Sequence, residues 1–98
     1  MVNIVPNWTE IKGKVKSIVP HKKLSGYSVI LVEVKQLSDV KGFKNLMAGM
    51  QDKEVSAIVS TAALDEKDIR EGTLITCHLR ITQSRENFVN PESIQEGS

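Results

Sequence analysis

Cysteine occurs once in these 98 residues, at Cys77, so no disulfide can form within them and no paired-cysteine zinc or redox motif exists. That usage fits a reducing compartment, and the chain is expected to be cytoplasmic. Long apolar runs are missing too: none approaches the roughly 18 residues that a membrane-crossing helix needs. The opening MVNIVPNWTEIKGK lacks the basic start and apolar stretch of a secretory signal. No membrane partner is expected. Glycine and proline number only six and three, which argues against a collagen-like or low-complexity chain. Neither a GxxxxGK[ST] phosphate loop nor a GxGxxG turn occurs, and the acids Asp65, Glu66, Asp68 and Glu71 lack the spacing of a calcium loop.

Histidine is sparse as well. His21 and His78 have no cysteine or carboxylate at ligand spacing, so no metal and no cofactor is assigned. Cys77 and His78 are adjacent on a segment that alternates like a strand. Their side chains therefore leave opposite faces and cannot share a proton. No catalytic residue is assigned, and the expectation is a protein that is not an enzyme.

What remains is an ordinary globular balance, 40% hydrophobic and 26% charged, in a chain the size of one domain. The net charge of +1 hides an asymmetry: residues 1–32 carry +4 and the rest −3. Five segments have strand chemistry. Residues 9–19 alternate, with Ile11, Gly13, Val15 and Ser17 on one side and Lys12, Lys14 and Lys16 on the other. Pro20 to Gly26 supply a turn. Tyr27 to Leu37 is a β-branched run, apolar on both faces through Val29, Ile30, Leu31 and Val32. Residues 54–60 and 73–82 alternate again, the latter placing Ile75, Cys77, Leu79 and Ile81 inward, and Phe88 to Asn90 make a short last strand before Pro91.

Between these strands the period changes. Phe43, Leu46, Met47 and Met50 recur at helical spacing within 39–52 and are expected to cap one end of the barrel. Residues 61–72 read as a short helix capped by Thr61 or Asp65 and ended by Gly72. The ends at 1–7 and 95–98 are expected to be flexible.

This order, strand, hairpin, long strand, connector, strand, short helix, strand, strand, resembles the OB-fold, a five-stranded Greek-key barrel. The KGKVKSIV opening strand, the LDEKDIREGTLITCHLRI passage and the closing FVNPESI carry the resemblance over about residues 9–94. It implies an all-β, OB-like barrel with one or two short helices, forming a single domain. The opening strand and REGTLITCHLRI also look like TOBE-type barrels, a resemblance that implies small-oxyanion binding.

The candidate site follows from the lysines. Lys12, Lys14 and Lys16 project from one strand face about 7 Å apart, near the spacing of phosphates on an extended single strand. Lys22 and Lys23 extend that stripe, His78 and Arg80 sit on the outward side of the fourth strand, and Tyr27 is the favoured stacking platform, with Trp8 and Phe88 as further candidates. The reading is a module binding single-stranded DNA or RNA through its backbone, with an affinity that falls steeply with salt. The same lysines also suit a solvated strand face that deters aggregation and needs no ligand. A third class is assembly, as a homo-oligomer or with a protein partner, through the outer side of 29–32 or the Met47 and Met50 surface.

Overall fold

Alternating apolar residues drive this chain into strands that close on themselves. A computed structural model describes residues 7–42, 49, 53–82 and 86–96. Its elements are β1 (Thr9–Pro20), β2 (Tyr27–Asp39), β3 (Glu54–Ser60), the helix α1 (Thr61–Glu66), β4 (Leu74–Ile81), β5 (Asn87–Val89) and β6 (Gln95–Glu96), with a 3-10 turn at Pro91–Ser93. β1 is antiparallel to β2 on one edge and to β4 on the other, and β2 is antiparallel to β3. β3 meets β5 in parallel at Ile58↔Phe88, and β5 returns antiparallel to β4, which completes a closed ring of five strands. The result is the strand-rich, closed five-stranded barrel with one short helix expected from the sequence, an architecture consistent with an OB-like barrel. Among the described residues no helix is long and apolar enough to cross a membrane.

The barrel interior is filled by the inward residues of every strand, Ile11, Val15, Ile30, Val32, Ile75 and Leu79 among them, all with no exposed surface. Cys77 is buried with them, and the loss of water around a thiolate pushes its thiol up to about 12. Gly13 also faces inward. A Cβ there would stand 2.3 Å from the Glu33 carbonyl oxygen and 2.8 Å from Val32 Cγ1, so β1 and β2 approach closely only because this residue has no side chain.

Several expectations need correction. Strict alternation along β1 predicts Ser17 inward, but Ile18 takes that role, opposite Ile30 and packed on the core. The cause is a bulge: the register shifts between Val15 and Ser17, leaving Lys16 extra and reversing the faces beyond it. A second shift at Lys12 and Gly13 leaves Lys35 extra on β2.

The helix is also shorter than the 61–72 expected from sequence. Ser60 caps it, its hydroxyl accepting from the Ala63 amide, and it stops at Glu66 instead of running to Gly72. Asp68 adopts a left-handed φ of 56°, while the Asp68 amide donates to Asp65 O and the Ile69 amide to Leu64 O. This pattern is a Schellman closure made by an aspartate in place of the usual glycine.

Asn7, placed before the barrel by the sequence reading, is 3% exposed and brackets the Ile81 backbone: its Oδ1 accepts from the Ile81 amide at 2.9 Å and its Nδ2 donates to the carbonyl at 3.0 Å. Gln95 and Glu96, placed beyond the barrel, pair with Thr76 and Ile75 on the edge of β4 away from β1. The helix expected around Phe43, Leu46, Met47 and Met50 lies outside the described residues, as does any surface built from Met47 and Met50.

Candidate nucleic-acid interface

The lysine stripe forms as an outward row on β1, but it is not a purely basic face. Lys12 sits between Gln36 on β2 and Thr76 on β4, in a polar depression of about 290 Å³ that Glu10 and Glu96 also line. Lys14 lies directly opposite Glu33 across the β1–β2 pair. Lys16 Nζ is 3.8 Å from Glu33 Oε2, and Lys35 donates to the other oxygen of the same carboxylate. The Lys35 hydrogen bond and charge, aided by Lys16 and Lys14, hold the Glu33 carboxyl below its ordinary value of 4.5. His78 Nε2 stands 3.6 Å from Glu10 Oε1, beside this row. The positive charges of β1 are thus interleaved with acids.

A different surface gathers the aromatics. Trp8, Tyr27 and Phe88 are three of only four aromatic residues in the chain, and all three line one open groove of about 350 Å³. Strand pairing explains how positions so far apart in sequence converge. Thr9 pairs with Leu79, which brings Trp8 beside Arg80; Arg80 pairs with Phe88, Phe88 with Ile58, and Tyr27 with Ser60 at the end of β3. Ile58, 5% exposed although it points away from the barrel interior, forms the apolar floor. The Arg80 guanidinium lies 5.9 Å from the Trp8 ring centroid, within cation–π range, and Tyr27 is 42% exposed.

The floor continues into a second depression of about 280 Å³, where Val29, Ser56 and Ile58 meet His21 from the β1–β2 turn and Glu86 and Asn87 from the start of β5. His21 is an organiser of that turn, a role the sequence reading missed. Its Nδ1 accepts from the Lys23 and Leu24 amides, both at 3.0 Å, and so shapes the loop that carries the exposed Lys22 and Lys23. A Pro-His start to a turn could have signalled it, because a side-chain acceptor there can bond amides two and three residues on.

The candidate residues therefore fall into two groups. Tyr27 and Arg80 share the aromatic groove, with Lys22 and Lys23 on the loop beside its continuation. Lys12, Lys14, Lys16 and His78 belong to the β1 and β4 face. β1 pairs with β2 and β4 and with neither β3 nor β5, so its outer row and the β3–β5 seam lie on different sides of the barrel. Among the described residues no group of three or more histidines, cysteines and carboxylates is arranged to hold a metal ion. No protein-family model matches the chain, and no curated protein sequence matches it.

Proposed function

We propose that this barrel is a non-enzymatic binding module for single-stranded nucleic acid, and that it binds weakly through the aromatic groove. The convergence of Trp8, Tyr27 and Phe88 beside Arg80 on one groove, which no acid lines among the described residues, carries this reading. Bases have apolar faces that stack on such rings, each stack contributing about 1–3 kcal/mol, and a cation at the groove edge meets the phosphate chain. In barrels of this architecture oligonucleotides lie across the second and third strands between the first and fourth loops. The depression over Val29, Ser56 and Ile58, with His21 at one end and Glu86 and Asn87 at the other, corresponds to that position, and the aromatic groove adjoins it over the β3–β5 seam, which supports the reading.

Salt dependence separates this site from the lysine row. Each phosphate contact to a single strand contributes a slope of about −0.7 in log affinity against log salt. Arg80, with or without Lys22 and Lys23, makes one to three contacts, so raising salt from ~50 to ~200 mM should weaken binding by about 3- to 20-fold. Six contacts spread over Lys12, Lys14, Lys16, Lys22, Lys23 and Arg80 would weaken it by several hundredfold, roughly. Fluorescence polarisation of a labelled single strand at the two salts measures this directly. Arg80→Ala and Tyr27→Ala should each lower affinity, and the triple change of Lys12, Lys14 and Lys16 to Ala should leave it nearly unchanged. Loss of binding only in the triple variant would move the site to β1.

A protein partner is the second reading, favoured by exposed apolar side chains on the β1–β2 hairpin: Val19 is 50% exposed and Leu24 39%. Light scattering that reports a mass above that of one chain, with no oligonucleotide binding, would favour it.

A further inference from the structure

The turn between β1 and β2 is held by an acceptor that can take up a proton. His21 Nδ1 receives two backbone amides, those of Lys23 and Leu24, each at 3.0 Å. An imidazole nitrogen accepts only while it carries no hydrogen, so this geometry requires the neutral ring with its proton on Nε2. The charged ring donates from both nitrogens and accepts from neither amide. The backbone bonds of the hairpin do not depend on the ring: the His21 amide donates to Tyr27 O at 2.9 Å, the Tyr27 amide to Leu24 O at 3.2 Å, and the Thr61 amide to Gly26 O at 3.0 Å. Protonation therefore leaves the strands paired and frees only the segment that carries Lys22 and Lys23. Both lysines are exposed, and among the described residues neither side chain has an ion pair, so the turn alone sets where their charges stand. Of the residues that line the depression with His21, only Glu86 is charged; Lys22 and Lys23 are the charges on the loop itself.

Resting on the single-strand reading above, we propose that His21 is a positioning residue that works as a proton switch. With the ring neutral, the turn fixes Lys22 and Lys23 beside the continuation of the groove, where they meet phosphates; a proton on Nδ1 releases them. A histidine merely added to a basic surface would strengthen phosphate binding once charged. Here the same proton withdraws two lysines from the site.

Asparagine at position 21 separates the turn from the proton, because its side-chain oxygen also accepts from amides two and three residues on but does not titrate. NMR of the free protein between about pH 7.5 and about pH 5, the range in which histidines gain their proton, reads the turn. The Lys23 and Leu24 amide signals are expected to shift along one curve with the His21 ring signals in the wild type, and to stay in place in His21→Asn. Amides that ignore the ring overturn the proposal, as do amides that shift equally in His21→Asn. Polarisation of a labelled single strand at ~50 mM salt then reads the lysines. Changing Lys22 and Lys23 together to Ala is expected to weaken binding at least about threefold at the higher pH and less than about 1.5-fold at the lower. The charge of His21 is common to both chains and cancels from this comparison. An equal loss at both pH values overturns the switch, and no loss at the higher one places the lysines outside the site and overturns it too. If no strand binds at either pH while the amides follow the ring, the single-strand reading fails and the lysines lose their role, whereas the dependence of the turn on His21 stands.

Discussion

Gly13 stands where β1 and β2 come closest. Any side chain there meets the Glu33 carbonyl and Val32 Cγ1, and neither is the free end of a flexible chain that can swing away. Gly13→Ala should therefore cost about 2–3 kcal/mol through overpacking, read as a lower urea midpoint with an unchanged slope. Undiminished stability would show that the two strands separate more easily than this contact implies. The sequence marked Gly13 as an interior residue of the strand, but not why glycine is needed, because the carbonyl it admits belongs to the neighbouring strand. Cys77 was more legible: alternation with Ile75 and Leu79 placed it inward, and it is fully buried. Asn7 was not, since a polar residue ahead of the first strand gives no sign that its amide will bracket the Ile81 backbone.

At the level of elements, period-two patterning located β1, β3 and β4, the β-branched run located β2 and the Phe88–Asn90 segment before Pro91 located β5, with β3 matching its expected limits at Glu54–Ser60. Patterning along one chain cannot reveal a bulge, which is a property of a pair. Both bulges here put a lysine, Lys16 or Lys35, in the extra position, and both lysines turn to Glu33. That carboxylate is held below 4.5 chiefly by Lys35, so its folded form binds a proton less readily than its unfolded form. A depressed carboxyl contributes stability that is present above its unfolded value and lost as pH falls through its folded value. The stability difference between wild type and Glu33→Gln should accordingly be present at pH 7 and shrink below about pH 4.5. Urea titrations across that range measure it, and a difference that persists at low pH would mean Glu33 acts through packing and not charge. β6 escaped notice because two residues are too few to show a period, and α1 ended early because an aspartate, not a glycine, took the left-handed position.

Across the whole molecule, closure of the barrel decides which residues share a surface. Trp8, Tyr27, Arg80 and Phe88 carry no common signal along the chain; the β1–β4, β4–β5, β3–β5 and β2–β3 pairings together bring them into one groove. Sequence reasoning named each of them as a stacking or phosphate-binding candidate. It also weighted the lysines of β1, whose regular spacing is visible in one dimension while the one acid beside both Lys14 and Lys16, Glu33, lies on β2. Charge along a strand is thus a weaker guide than charge across a sheet.

Trp8 is the only tryptophan, and it lines the groove, so its fluorescence reports on the proposed site without any label. Titrating the protein with a short unlabelled single strand while following Trp8 emission is the most direct measurement. Saturable quenching with the same midpoint as the polarisation signal, reduced in Arg80→Ala, is the predicted result. An oligonucleotide that binds by polarisation yet leaves Trp8 emission unchanged would place the ligand on another face of the barrel and contradict the groove as the binding site.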